Sequence, residues 1–355
     1  MKIYTPEGWL DIPHINEICD RNDINFIVII GKRQVGKTYG VLKFILNQGK
    51  PFVFMRRVKP ELEMLSKGVN SPFEKIPEYK DKIIFKKESE YSSGIFKLVE
   101  TETKNEDGTT EKVTTEERIA MGTTLNSIAA MRGFNGDPYT DVIFDEFIPE
   151  EHLYKVRNEK NAFLNAQTTI NGNRELEGRP CVRMWLLANS NDLNSGVLEA
   201  INITKIVERM SLRGEEARML KERGILILMP DSTKIIEQRK KGGLMRAIGD
   251  DNSQFVRMAY GNEFAFNDYT DVGCAPLIEY NPFITIGRIT IHLHKFNKTL
   301  YVTDRIKNAK YKLTDSDTDR MKFNRKFADI RVAYMNGRIL FQDMAIKNYF
   351  LELIK

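Results

Sequence analysis

The chain has 355 residues, 41% of them hydrophobic and 29% charged, with 54 Lys and Arg against 49 Asp and Glu for a formal net charge of +5. That balance excludes a disordered or collagen-like chain, and no apolar run exceeds five residues, as in Phe26–Ile30 and Ile225–Met229, so no stretch reads as a membrane span. Cys19, Cys181 and Cys274 are too scattered for a disulfide scaffold or a four-cysteine zinc site, which points to a reducing compartment, and residues 1–13 have no apolar core of a secretory signal.

Residues 26–30 (FIVII) read as a buried strand, followed by a helix over 38–47. Residues 51–55 (PFVFM), 141–145 (DVIFD) and 181–188 (CVRMWLLA) read as three more buried strands, with helical patterns near 125–131 and 161–170. Apolar strands alternating with helices predict an α/β domain whose mostly parallel sheet is covered on both faces. Residues 86–118, rich in Thr and Glu with 6 basic and 9 acidic side chains, read as an inserted hairpin turning at Asn105–Gly108. After Ser190 the pattern changes. Residues 206–223 read as a charged helix, 225–229 as a short strand ended by Pro230, and 237–243 as a basic turn. Pro276–Glu279 reads as a strand, 284–303 as a hairpin about Phe296–Lys298, and 322–334 and 343–354 as helices, so the C-terminal part is a separate small α+β unit. Residues 295–355 hold 14 basic against 7 acidic side chains, and 204–258 hold 12 against 8. A phosphate backbone would match that surplus, as would a plain solvated surface.

The segment Gly31, Lys32, Arg33, Gln34, Val35, Gly36, Lys37, Thr38 satisfies the P-loop pattern in full, directly after a strand and opening a helix. Its glycines let backbone N–H groups wrap the phosphates of ATP, Lys37 reaches the β- and γ-oxygens, and the Thr38 hydroxyl is placed for Mg²⁺. Asp145 and Glu146 close the strand at 141–145. Asp145 is the carboxylate for the Mg²⁺ shell and Glu146 the group that polarises an attacking water. Asn189 or Ser190, at the end of strand 181–188, is placed to sense the γ-phosphate. Arg132, Arg174 and Arg179 lie in loops and are candidates for an arginine finger, with Arg33 a further phosphate contact. Tyr4, Pro6 and Trp9 are positional candidates for the adenine pocket.

Three segments together resemble the genome-packaging ATPases of small protein-primed tailed phages, compact relatives of large terminase subunits: GKRQVGKT after IVII, Phe54-Met55-Arg56-Arg57-Val58-Lys59-Pro60-Glu61-Leu62, and Ile143-Phe144-Asp145-Glu146-Phe147. Asn173-Arg174-Glu175 and Pro230-Asp231-Ser232 also fit. The resemblance implies an ASCE-type P-loop ATPase domain over 1–205, a linker domain over 206–265, and a vestigial ribonuclease H-like domain over 266–355 that meets DNA and portal. It implies a homo-oligomeric ring, usually a pentamer, in the host cytoplasm and docked transiently on the portal of a procapsid, threading double-stranded DNA, with no membrane. A packaging RNA between ring and portal is left open. Lys59 matches a lysine placed near the subunit interface, and Arg132 and Arg174 fall where the family has basic residues. The family's finger position, however, is Gly172 here.

The C-terminal unit lacks an Asp on its first predicted strand, and Asp304, Asp315, Asp317 and Asp319 fall at a strand end or in a polar turn, so it reads as nuclease-like in shape and inactive. Arg239, Lys240, Lys241, Lys307, Lys310 and Lys312 are the candidates for DNA-backbone contact. The alternatives are a helicase or other nucleic-acid-remodelling ATPase, a small-molecule P-loop kinase, and a portal component that binds nucleotide only structurally.

Overall fold

Phe26–Gly31 (β1) can be apolar along its whole length because it lies in the middle of a sheet with both faces covered: Ile27 through Ile30 are fully buried. Each such side chain contributes about 1.5–3 kcal/mol on burial. The computed structural model describes residues 2–32, 35–66, 71–104, 110–131, 134–149, 156, 158–190, 192–231, 235 and 269–354. Contacts divide the chain into two compact units, Met1–Ile201 with Met210–Ala265, and Asn202–Arg209 with Phe266–Lys355.

In the first unit α1 (Ile12–Arg21) precedes β1, and α2 (Lys37–Asn47) follows it. Then come β2 (Phe52–Arg56), α3 (Lys59–Ser66), β3 (Ile83–Lys87), β4 (Ser92–Lys104), β5 (Thr110–Thr124), α4 (Leu125–Ala130), β6 (Asp141–Asp145), α5 (Glu159–Asn171), β7 (Arg183–Asn189) and α6 (Gly196–Ala200). After α7 (Thr204–Arg213), whose residues up to Arg209 group with the second unit, come β8 (Ala217–Leu220) and β9 (Ile225–Leu228). The nine strands form one sheet in the order β3-β4-β5-β2-β6-β7-β1-β9-β8. From β5 to β9 all neighbours are parallel, so β1, β2, β6 and β7 end on one edge. That edge is where a parallel α/β sheet presents its loops to a ligand.

Three expectations are corrected here. The charged helix expected over 206–223 stops at Arg213, because Gly214 takes a left-handed φ of 62° and ends it. Residues 217–220 then run as an edge strand. The linker expected over 206–265 does not begin at 206: residues 217–228 belong to the first unit's sheet, since Ile225–Leu228 is fully buried beside Phe26–Ile29. The strand expected over Pro276–Glu279 is a 3₁₀ turn, opened by a proline that presets its φ, and the strand starts at Tyr280. The inserted hairpin is β4 with the first part of β5. The last part of β5, Ala120–Thr124, also pairs in parallel with β2 on its other side, and the expected turn at 105–108 lies outside the described residues.

The second unit has β10 (Tyr280–Ile286), β11 (Ile289–His294), β12 (Leu300–Thr303), β13 (Tyr311–Leu313), α8 (Asp317–Lys326), α9 (Ala328–Met335), β14 (Ile339–Phe341) and α10 (Met344–Leu353). Its sheet runs β13-β10-β11-β12-β14, with β10, β11 and β12 antiparallel and the two edge strands parallel to their neighbours. The alternation of Ile284, Ile286, Ile289 and Ile291 buries one face against Phe323, Phe341 and Phe350. Among the described residues no helix is long and apolar enough to cross a membrane.

Candidate active site

The loop after β1 needs Gly36, whose φ is 83° and whose missing Cβ leaves room for the Trp9 ring: a Cβ there would lie 3.0 Å from it. Lys37 opens α2 and is buried. Its Nζ donates to the carbonyls of Gly31 (3.0 Å) and Lys32 (2.7 Å) and to Asn189 Oδ1 (3.1 Å). The Gly31–Asn189 register of β1 and β7 sets that third contact. The Thr38 hydroxyl donates to Asp145 Oδ1 at 2.8 Å. Arg56 pairs with Asp145 Oδ2 at 2.9 Å, so the buried carboxylate is neutralised. The chain turns at Glu146, which takes a left-handed φ of 56° that a glutamate adopts at a cost of about 1–2 kcal/mol. Strain of this kind marks a position fixed by its surroundings.

Gly36, Lys37, Thr38, Asp145, Glu146 and Asn189 line one cavity of about 310 Å³, together with Arg56, Tyr39 and Lys75. Three cations (Lys37, Arg56 and Lys75), the Glu146 carboxyl and an adjacent hydroxyl–carboxylate pair thus share one space. Thr38 and Asp145 are hard oxygen donors suited to Mg²⁺. Among the described residues no three His, Cys, Asp or Glu side chains gather into a metal site. That donor set fits a cation held jointly with phosphates rather than in a protein cage. Glu61, near Arg56, Arg57 and Asp145, has its carboxyl pushed up by burial, against the pull of the two arginines.

Of the predicted loop residues, Gly36, Lys37 and Thr38 line the cavity with Asp145, Glu146 and Asn189, Gly31 and Lys32 meet Lys37 through their carbonyls, and Val35 is buried. Arg33, Gln34 and Arg132 lie outside the described residues, as do Arg239, Lys240 and Lys241. Arg174 is not at the site. It is buried, and its guanidinium donates to the carbonyls of Gly136, Asp137, Tyr139 and Pro180. Gly136–Tyr139 precede β6, at the strand edge opposite Asp145, so Arg174 as a finger is corrected to a fastener of loops. Arg179 sits beside it, paired with Asp137 and Glu177, and also away from the cavity. Lys59 is exposed at the start of α3 and does not line the cavity. Lys307, Lys310 and Lys312 are exposed on the second unit. Asp304 there pairs with Lys205, Asp315 with Arg320 at 2.8 Å, and Asp319 with Lys322 at 3.0 Å. His292 is buried against Thr303 (3.1 Å), and burial pushes its imidazole down to about 4. Of the proposed adenine residues, Trp9 abuts the loop, whereas the Tyr4 hydroxyl is engaged by Glu216.

Arg56 lies in one of the three family-like segments but has no role from the sequence alone. Its signal was its place as the last residue of β2, next to the strand that ends in Asp145. Lys75, on a 3₁₀ turn far away in sequence, carried no signal.

No protein-family model matches the chain. It is similar over 99% of its length to the DNA packaging proteins of Bacillus phage PZA, at 25% identity, and Bacillus phage phi29, at 24%, covering 97% of each. Among solved structures, the bacteriophage Phi-29 viral genome packaging motor assembly matches with a TM-score of 0.62 at 18% identity, over 99% of this chain and 98% of that one. The resemblance read from three short segments therefore extends from end to end.

Proposed function

We propose, from the premise that this chain is a relative of the phage DNA-packaging proteins, that it is an ATPase motor that drives viral double-stranded DNA through a portal into a procapsid. The observation that carries this reading is the convergence of Lys37, Thr38, Asp145 and Glu146 on one cavity. Lys37, released from the Gly31 and Lys32 carbonyls, donates to the phosphate oxygens and neutralises charge that grows on them. Thr38 and Asp145 would hold Mg²⁺, which supplies further charge neutralisation at the triphosphate. Glu146 accepts a hydrogen bond from the attacking water and orients it in line with the γ-phosphorus. Asn189, bonded to Lys37, reports whether the ammonium has changed partners.

The cavity's own cations are Lys37, Arg56 and Lys75. A finger, if one is used, comes from a neighbour in a homo-oligomeric ring. Of the residues offered for it, Lys59 is exposed and Arg179 is partly so, while Arg174 is committed to carbonyls. The second unit, read as a nuclease-like domain that does not cut, holds duplex DNA or the portal through exposed lysines, among them Lys307, Lys310 and Lys312. The ring acts in the host cytoplasm, docked on the procapsid, as a pentamer and with or without an RNA adaptor.

The test is ATP turnover of the wild type and Lys37→Ala, each with and without duplex DNA and emptied procapsids. Turnover that rises with both additions and is lost in the variant is the expected result. Turnover indifferent to DNA and capsid would remove the packaging reading.

A further inference from the structure

Lys32, inside the phosphate loop, has a side chain only 5% exposed, and its ammonium is paired with Asp231, whose side chain is 51% exposed. Asp231 lies 199 residues away, three positions after β9 ends, where the chain leaves the sheet. The Asp231 N–H donates to the Tyr4 hydroxyl (2.8 Å) and to Glu216 Oε1 (3.0 Å), and the Tyr4 hydroxyl donates to the same Glu216 oxygen (2.6 Å). The Met229 N–H donates to the Glu216 carbonyl at 2.7 Å. A second tie joins the same segments: a Cβ on Gly31 would lie 3.0 Å from Pro230 Cγ, so the glycine lets Pro230 rest on the loop.

From this geometry we infer that Asp231 is a positioning residue, which ties occupancy of the phosphate loop to the β8–β9 edge of the sheet. This rests on the nucleotide reading above. The route is continuous. Lys37 Nζ donates to the Lys32 carbonyl, and when it turns to phosphate that carbonyl loses its donor. The Lys32 backbone adjusts, and its side chain carries the adjustment to Asp231 and on to Glu216 and Tyr4. One end of the ion pair is buried and cannot be left alone without penalty. The other is half in water, where an ion pair is weak and opens readily. The contrast is with Arg57 and Glu159, buried at both ends at 2.5 Å, a fixed joint.

Hydrogen exchange of the full chain, with and without a non-hydrolysable ATP analogue and Mg²⁺, tests this. In the wild type the analogue is expected to slow exchange at residues 31–38 and also to change it at 216–231. In Asp231→Asn the first effect is expected to remain, with analogue affinity within threefold, and the second to vanish; Asp231→Glu is expected to restore it. Lys32→Gln, which removes the pair from the other end, is expected to lose the distant response as well, and the double variant to lose no more than either single one. A purely structural Asp231 would shift exchange equally with and without analogue. A wild-type response at 216–231 in either folded single variant overturns the inference. Failure of the wild type to respond at 31–38 overturns the nucleotide reading itself, a separately visible result.

Discussion

The two units treat ionisable side chains in opposite ways. In the first, Lys37, Arg56, Asp145 and Glu146 are brought to one cavity from three elements, at the expense of a left-handed glutamate and buried charge. In the second, the buried ionisable groups have local partners: Lys347 has Asp271, Glu208 the Met344 N–H, and His292 Thr303. Its surplus lysines stay in water. Convergence of charge that is costly to bury is the mark of chemistry, and dispersal is the mark of a surface that binds. On the function proposed above, turnover belongs to the first unit and grip to the second.

Glu146→Gln breaks the comparison hardest if it is wrong. The amide keeps the size and loses the base, so ATP turnover is expected to fall about 10²–10⁴-fold with nucleotide affinity little changed. Single-turnover hydrolysis beside equilibrium binding separates the two. Unchanged turnover would mean the cavity holds nucleotide only structurally.

Arg174→Met asks whether every buried cation in the first unit serves the reaction. It leaves the carbonyls of Gly136, Asp137, Tyr139 and Pro180 without their shared donor. A loss of about 3 kcal/mol in unfolding free energy is expected, with kcat of the folded fraction unaltered. A finger would behave in reverse. Arg179→Ala, at the surface, is expected to change stability by less than about 0.5 kcal/mol.

Glu208 gives the second unit its sharpest titration. Burial pushes its carboxyl up to about 7, against hydrogen bonding from Met344 N–H and the attraction of Lys205 and Arg209, and with Asp343 adding to the rise. A raised carboxyl binds its proton more tightly folded than unfolded. Its stabilising contribution is whole below pH 4.5 and is lost as pH rises through about 7. His292, pushed down, acts oppositely: its contribution is present above pH 6.5 and lost as pH falls through about 4. The two slopes oppose each other between them. Glu208→Gln is expected to raise stability progressively above pH 5, by up to about 3 kcal/mol at pH 8, leaving only the histidine's acid-side loss. Denaturation midpoints from pH 4 to 8 read this directly. A gain that is the same at every pH would show that Glu208 is charged throughout.

What the sequence made legible follows from distance along the chain. Gly31–Thr38 and Asp141–Glu146 are each contiguous, and strand-then-loop order alone makes them candidates for one site. The four buried strands were legible because both faces are covered, which leaves unbroken apolar runs. Ala217–Leu220 carries a weak pattern that reads as helix because it is an edge strand with every residue only partly buried. Arg174 could not be placed, since its partners are main-chain carbonyls that meet only when 136–139 and 180 fold together. Arg56 needed the strand register, and Asp231 needed a contact across 199 positions.

The exposed lysines offer the smallest single effects and the finest test of where grip lies. Lys307, Lys310 and Lys312 stand on or beside the short edge strand β13, and Lys310 and Lys326 lie over the Tyr311 ring at 5.5 and 4.5 Å. Each phosphate a lysine neutralises steepens the dependence of log K on log salt by about 0.9 for duplex DNA. If all three touch the backbone, replacing them together with alanine is expected to flatten that slope by about 2–3 and to weaken duplex binding equally for any sequence. DNA-independent ATP turnover, which depends on the first unit's cavity, should not move. Lysines that only keep the surface solvated would leave the slope where it was, and the division of labour between the units would then have to be drawn from another face of the second one.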